Sequence, residues 1–513
     1  MYIMPVQRRF QGTQRDKGKI CQMPRMWQDF IEMTLPRIQI MPSETGTLVH
    51  DKIQQKINAG CQIQNENLEE VCQNAWKFSA DYYNRSQVAL DTALKQVPAY
   101  VSWRSFDPGD GYHIDERYAA LPVFTKKGIR KHFPMGLLPA GRDIDVGLAS
   151  GEIEFEETSG TTGEKVTNIW YQKWWDASEK ASWKLNSHAS QIAYDDHREA
   201  ILANPPNVGF VSDNADLSIE NRRLSRFLFL NEKTQPSSWS SEHMERMIAE
   251  LDEYKPDVLE ADPPVLATLC RYAVQRNIAI FKPSLIVLTY EYPIKFHYNQ
   301  ILKVFDTPIA SSYGSTETGY VFMQCEKGKY HQNSEFCRVD FQPLKPEHGG
   351  PLLGRILVTT FNNHWFYLVR FDVGDLVRIE ESGKCSCGRD SGLILSAIEG
   401  RVTNVTWTCE GRLVSLRELD NTLSILKGVD EYRLDQVTQG TYVLHLVSQR
   451  QDKHRLTEEA SFVLKQLYGN DARISVVYKN MIRPAKSGKY HVSRTLFPFD
   501  INNYLLNSVS AQE

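Results

Sequence analysis

Apolar and polar positions along this chain follow two different periods, and the order in which those periods appear predicts its layout. Over residues 67–94 the apolar positions recur at helical spacing, and Tyr171, Trp174 and Trp175 open a second helical stretch running towards Tyr194. Beyond it, short apolar runs and helical stretches take turns. Residues 207–211, 226–230 and 285–289 read as strands, with helices near 242–251 and 264–276. That rhythm predicts an α/β sheet whose strands are buried by helices. After Gly349 the pattern becomes β-rich, with strands expected at 356–360 and 367–371. Beyond residue 400, strands at 442–446 and 474–478 flank a helix at 456–468. The expected fold class is therefore α/β: a large N-terminal domain of sheets packed with helices plus a β-rich subdomain, and a small mobile α+β C-terminal domain. Expected boundaries are 1–60 for a polar, Gln-rich arm or helical extension, 61–399 for the large domain and 400–513 for the small one.

Bulk properties narrow the function classes. At 513 residues the chain is long enough for more than one domain. A net charge of -4 and a pI near 6.4 argue against a dedicated nucleic-acid or anionic-membrane surface. Arg8, Arg9, Arg15 and Lys17 are followed by no apolar h-region, and no apolar run approaches the roughly 20 residues of a membrane helix. Nine unevenly spread cysteines do not make a disulfide scaffold in a chain of this size. A reduced, cytoplasmic setting is the expectation, without nucleic-acid or membrane partners.

Candidate chemistry collects in five places. Thr158, Ser159, Gly160, Thr161, Thr162 and Gly163 follow an acidic strand-like run, Glu152 to Phe155. Glycines let a backbone approach a ligand closely, and successive N–H groups and hydroxyls from such a loop can wrap phosphate oxygens. An ordinary loop has the same composition. Tyr313, Gly314, Ser315, Thr316 and Glu317 follow a short strand at 308–310, a place where α/β sheets bind ligands. A tyrosine there can stack on a base, a threonine can donate to phosphate, and a glutamate can hold Mg²⁺. Asp375 follows Gly374 and can accept ribose hydroxyls, although an Asx turn is also consistent. Glu399-Gly400-Arg401 is the fourth cluster. Arg483 to Lys489 is the fifth, a basic loop near the C-terminus.

In this order and at these separations, the five clusters resemble the adenylate-forming (ANL) superfamily of acyl-CoA synthetases, peptide-synthetase adenylation domains and luciferases. The loop at 158–163 is similar to the family's SGTTG core, Tyr313 to Glu317 to its YGxTE core, and Asp375 to the aspartate of its TGD core. Gly400-Arg401 is similar to the hinge GR, and Ser487-Gly488-Lys489 to the SGK of the lysine loop. The resemblance covers roughly residues 95–495. It is strongest to the phenylacetate-CoA ligase branch, through residues 97–100, 121–126 and 255–260. It implies ATP-dependent activation of an aryl or other small carboxylic acid to an acyl-adenylate with pyrophosphate release. Transfer to coenzyme A or another thiol follows in such enzymes. Residues 158–163 would grip the β- and γ-phosphates, Thr316 the α-phosphate and Glu317 the Mg²⁺. Tyr313 would flank adenine, Asp375 and Arg401 would fix the ribose, and Lys489 would bridge the acid and the α-phosphate. The acid would sit near residues 239–242, 290–292 and 311–313.

Cys325, His331, Cys385 and Cys387 are soft and borderline ligands of the kind structural Zn²⁺ takes four of. Their spacing is not that of a zinc finger; free thiols without a metal stay open, as does Cys337 as a substitute ligand in place of His331. The resemblance to the phenylacetate-CoA ligase branch implies a structural zinc. Three departures from the family pattern stand out. Thr403 occupies the usual charged hinge position, the loop at Glu164-Lys165 lacks its proline, and Pro484 lies one position closer to Lys489. They leave open an alternative acceptor, an amine, a carrier-protein thiol or another nucleophile, and with it an amide- or N-ligating synthetase that uses no thiol; a catalytically silent nucleotide-binding relative is a further reading. A homodimer is also left open.

Overall fold

The computed structural model of the protein describes residues 76–157, 166–208, 216–234, 239–485 and 488–506. The expected arm at 1–60 and the phosphate loop at 158–163 lie outside them. Helix α1 (Ala80–Gln96) starts later than its apolar period, because Ser79 Oγ accepts from Tyr82 N and sets the cap. Strands β1 (Glu154–Glu157) and β2 (Thr167–Trp170) pair antiparallel, Glu157 with Thr167, and flank residues 158–163 in the sequence. Helix α2 (Gln172–Trp183) follows.

The central sheet has twelve strands. They are β3 (Glu199–Leu202), β4 (Arg223–Leu224), β5 (Phe227–Phe229), β6 (Val258–Ala261), β7 (Leu285–Leu288), β8 (Ile309–Ser315) and β9 (Gly319–Gln324). They continue with β10 (Tyr330–Gln332), β11 (Cys337–Pro343), β12 (Leu353–Thr360), β13 (Phe371–Ile379) and β14 (Ile394–Arg401). Their spatial order is β11-β12-β13-β14-β10-β9-β8-β7-β6-β3-β5-β4. Strands β5, β3, β6, β7 and β8 run parallel, and the β-rich part of the sequence extends the same sheet antiparallel beyond β8. From β3 the chain goes to β5 on one side and to β6 on the other, so a topological switch point lies between β3 and β6. The crevice at the carboxyl ends of those strands is where such sheets bind ligands.

Three helices cover one face: α3 (Ser241–Tyr254), α4 (Pro263–Arg276) and α5 (Lys295–Ile301). They bury Ala200, Leu202, Leu228, Leu259, Ala261, Ile286 and Leu288 together with Met247, Leu251, Leu266 and Ile301. At about 25 cal/mol per Å² of apolar area, this packing is a principal source of stability. The opposite face meets α2 through Trp183, Val258, Leu285, Val287, Ala310 and Met323.

The C-terminal part begins with a two-stranded ribbon, β15 (Thr406–Trp407) and β16 (Leu413–Val414). Then come α6 (Leu416–Leu423), β17 (Val429–Thr438), β18 (Thr441–Ser448), α7 (Lys453–Tyr468), β19 (Arg473–Tyr478) and β20 (Ser493–Thr495). Its sheet order is β19-β18-β17-β20. Its core takes in Ile294 and Phe296, next to and within α5. Polar ties join it to the large sheet's helices: Lys295 N donates to Asp420 at 3.0 Å, Gln300 Nε2 to Asp430 O at 2.8 Å, and Arg271 pairs with Glu431 at 3.4 Å. Among the described residues no helix is long and apolar enough to cross a membrane.

Two expected strands differ. Residues 367–370 are irregular, because Arg370 takes φ 47° and the segment's backbone bonds go elsewhere. Tyr367 N donates to Leu137 O, Val369 N to the Tyr100 hydroxyl and Arg370 N to Thr359 Oγ1. The strand begins at Phe371. Of the strand expected at 207–211, Asn207 and Val208 belong to a 3₁₀ turn, Pro205–Val208, and residues 209–211 lie outside the described residues.

Candidate active site

A cavity of about 460 Å³ opens at the carboxyl ends of the parallel strands and brings most of the expected residues together. Gly374 decides the position of Asp375. With φ 81° it makes a bulge in β13, where the pairing to β12 skips from Asp372 to Leu376. Gly374 N donates to Asp372 Oδ1 at 2.9 Å, the Asx-type bond that the sequence left open. The bulge sets Asp375 opposite Arg401 of β14. Arg401 Nε lies 3.8 Å from Asp375 Oδ1, and the Tyr313 hydroxyl donates to Asp375 Oδ2 at 2.8 Å. Burial raises the Asp375 carboxyl, and Arg401 opposes that rise. One acidic acceptor, one guanidinium and one aromatic ring thus meet in a single wall.

Tyr313, Gly314 and Ser315 lie within β8 itself, which is longer than expected, and Thr316-Glu317-Thr318 is the turn after it. Thr316 and Glu317 line the cavity. Glu317 is buried, and its Oε1 is 3.2 Å from Lys126 Nζ. Burial alone would raise its carboxyl, yet Lys126 and local hydrogen bonds hold it below the usual value. Lys126 was quoted from the sequence only as part of a pattern, and no local signal marked it as a site residue. The structure brings it into the cavity from the first position of a short helix, Lys126–His132, nearly two hundred residues upstream of Glu317.

Lys489 reaches the same cavity from the C-terminal part. Gly488 has φ 80°, and its carbonyl accepts from Asn204 Nδ2 at 3.0 Å; Tyr490 N donates to Glu291 Oε1 at 3.3 Å. Asn204, just after β3, and Glu291, just after β7, therefore anchor the lysine loop to the large sheet; Asn204 had no signal in the sequence, and Glu291 lies within the span 290–292 expected near the acid. Burial, first, and then the neighbouring Arg401 push the Lys489 ammonium down to about 8, against an upward pull from Glu291. Burial also raises the Glu291 carboxyl, with Lys489 opposing. Gly400 has φ 97°, and a Cβ there would lie 2.7 Å from Leu416 Cβ, so this position near the end of β14 accepts glycine alone. Thr403 and Asn404 follow in a short 3₁₀ turn that lines the cavity. Lys486 and Ser487, like residues 158–163, lie outside the described residues.

The far end of the cavity is walled by Trp170, Trp175, Tyr290, Tyr292, Ser311 and Ser312. Residues 239–242 are absent from it. Trp239 instead packs against the core beneath α3, and its Nε1 donates to Lys233 O.

A second cluster lies away from this cavity's floor. Cys325 at the end of β9, His331 in β10, and Cys385 and Cys387 between β13 and β14 place one ligand atom each within 4.8 Å of all the others. Cys325 and Cys385 sulfurs are 3.7 Å apart, and Cys387 Sγ is 3.3 Å from His331 Nε2. A tetrahedron with Zn–S bonds of about 2.3 Å has edges of about 3.8 Å, so the donor set and its spacing fit Zn²⁺. Cys337 is elsewhere, its thiol donating to Asn333 O.

No family model matches the chain. Over 260 residues it is 22% identical to Protein CapK of Staphylococcus aureus, covering 48% of this chain and 55% of that one. The chain thus spans about half the length of the curated relative it matches. Among solved structures it is similar to 2-hydroxyisobutyryl-CoA ligase in the postadenylation state in complex with 2-HIB-AMP. That likeness has a TM-score of 0.61 at 15% identity, covering 84% of this chain and 94% of the ligase. The same ligase in complex with R3-HIB-AMP gives a TM-score of 0.60 at 15% identity, over 81% and 88%. The chain has the fold of this ligase.

Proposed function

We propose that this protein is an AMP-forming ligase of the adenylate-forming superfamily, in which a carboxylate attacks the α-phosphorus of ATP, pyrophosphate leaves, and an acyl-adenylate remains. The observation that carries this reading is the meeting of Tyr313, Glu317, Asp375, Arg401 and Lys489, drawn from four separated segments, around one cavity at the strand ends. The fold shared with a ligase solved with an acyl-AMP supports it. Carboxylate and triphosphate repel, so catalysis needs positive charge where charge builds in the transition state. Lys489 supplies it between the acid and the α-phosphate, Thr316 donates to the α-phosphate, and Asp375 with Arg401 holds the ribose beside Tyr313. Residues 158–163, between β1 and β2 in the sequence, grip the outer phosphates. Glu317 would hold Mg²⁺, which would neutralise phosphate charge, and Lys126 is its present counter-charge. The four-ligand cluster holds a structural Zn²⁺ that ties the β9–β10 hairpin to the β13–β14 connection.

The small domain comprises residues 400–513 and turns about Gly400-Arg401 to pass the acyl group to coenzyme A or another thiol. Thr403 in place of a charged hinge residue favours a second acceptor class, an amine, and the product formed with and without coenzyme A separates the two. Lys489→Ala should lower ATP–pyrophosphate exchange by roughly 10²–10³, the cost of removing one preorganised charge-stabilising donor. Unchanged exchange in a folded variant would refute the assignment.

A further inference from the structure

The sheet face under α2 changes character along its length. Near Trp183 it is apolar, through Val258, Leu285, Val287 and Ala310. Where the cavity opens, the register puts carboxyl groups on that same face. Glu199 pairs with Phe227, and Ile201 pairs with both Phe229 and Glu260. Side chains alternate along strands, so these residues project together with Val287 and Ala310. Ser312, two residues after Ala310, points the same way. Across the gap α2 presents Asp176 and Glu179, and all four carboxyl groups line the cavity.

These acids are held in place. Glu179 accepts from the Tyr194 hydroxyl at 2.6 Å and from the Tyr320 hydroxyl at 2.9 Å, and Glu260 accepts from the Tyr290 hydroxyl. Glu199 Oε2 is 2.9 Å from His197 Nε2, and Asp176 accepts from Gln172 at 2.7 Å. Facing them is the Arg226 guanidinium, 3.8 Å from Glu199 Oε2 and lying over the Tyr194 and Phe227 rings. Burial raises all four carboxyls above their usual range, and mutual repulsion raises Glu199 and Glu260 further. Buried carboxylates need a cationic partner or a proton, and four of them outnumber one guanidinium. A second, independent sign of a ligand is Ser312. It is 9% exposed and lines the cavity, and its Oγ has no hydrogen-bond partner among the described residues. Trp170 and Trp175, 4.3 Å apart, offer ring faces beside the acids, a surface that also attracts cations.

We propose that the acid activated here carries a protonated amine, seated among Glu199, Glu260, Glu179 and Asp176, with its carboxyl turned towards Lys489. This rests on the adenylating reading and names the substrate class of that same site. The amine supplies the charge the carboxyls lack, and Ser312 Oγ bonds the substrate between its two ends. The phenols of Tyr194, Tyr290 and Tyr320 keep the carboxyls in one geometry before the amine arrives.

The test compares amino-substituted acids with neutral isosteres of similar size: 4-(aminomethyl)benzoate against 4-ethylbenzoate, and 5-aminopentanoate against hexanoate. Binding to the full chain is measured by calorimetry, and activation by ATP–pyrophosphate exchange. In at least one pair the amine should bind tenfold or more tightly than its isostere. Glu260→Gln and Glu199→Gln, which keep shape and hydrogen bonding, should reduce that preference at least tenfold. Ser312→Ala, a change that leaves no buried group unpaired, should weaken binding of the amine. The proposal is overturned if neither pair shows an amine preference in binding, or if both glutamine variants keep it unchanged. Amine-selective binding without exchange by any acid would instead remove the adenylating reading and leave the cationic pocket standing. Exchange with neutral acids and no amine preference would do the reverse.

Discussion

Lys489 should titrate in the range where the enzyme is assayed, and the pH profile of adenylation should show it. Burial and the positive neighbours Arg401 and Lys126 lower its ammonium to about 8, while Glu291 and Glu317 act upward. The charged form is the active one, because it must neutralise two anions. Activity from this group is therefore present below about pH 8 and lost as pH rises through it. One unit above, about a tenth of the lysines stay protonated, so kcat/KM for ATP in pyrophosphate exchange should fall about tenfold between the plateau and pH 9. The parameter kcat/KM reports groups in the free enzyme, before bound phosphates add their own charge. Two variants give the sign. In Lys489→Arg the guanidinium keeps its charge throughout, so whatever activity survives should be flat across pH 8–9.5. In Glu291→Gln an upward influence on Lys489 is gone, and the alkaline limb should move to lower pH. A wild-type profile flat to pH 9.5, or a limb that persists unaltered in the arginine variant, would refute the reasoning.

Three further outcomes follow from the same geometry. Asp375→Asn keeps the shape but removes the charged acceptor of the Tyr313 hydroxyl and the partner of Arg401. ATP affinity measured by calorimetry should drop at least tenfold, since hydrogen bonds to charged groups contribute ~1.5–3 kcal/mol. Gly400→Ala places a Cβ 2.7 Å from Leu416 Cβ at φ 97°, and thermal unfolding should show destabilisation of ~1–3 kcal/mol; an unchanged midpoint would mean the turn rearranges freely. Elemental analysis should find one zinc per chain, lost in Cys387→Ser together with a lower unfolding temperature. Rapid alkylation of all three ligand cysteines, Cys325, Cys385 and Cys387, in native protein would argue against a bound metal.

How far the site could be read from the chain depended on whether each residue's role is set locally or by register. Gly374-Asp375 was legible because a glycine with positive φ and the acid beside it do one local job, turning a bulge so that the acid faces the partner strand. The parallel core was legible as well, since fully buried strands such as Leu285–Leu288 are short apolar runs bounded by breakers. Residues 367–370 misled for the same reason. Tyr367 to Val369 are apolar and largely buried like a strand, but the donors of 367–370 go to Leu137 O, a tyrosine hydroxyl and a threonine hydroxyl, which no periodicity records.

Glu199 and Glu260 show where a single chain's pattern runs out. Each stands alone among apolar neighbours in a four-residue strand, where it looks like an interruption. Only the parallel pairing of β3 with β6, sixty residues apart, places them on one face, and only α2 brings Asp176 and Glu179 opposite. A buried acid on an inner strand is costly unless something charged or hydrogen-bonding meets it. Here tyrosine hydroxyls meet part of that need, and the remainder faces open cavity. In the proposed reading the nucleotide-facing residues sit in contiguous clusters because phosphate and ribose would be gripped by turns at strand ends. The groups proposed to choose the acid are scattered through the sheet, because that acid would lie against its face.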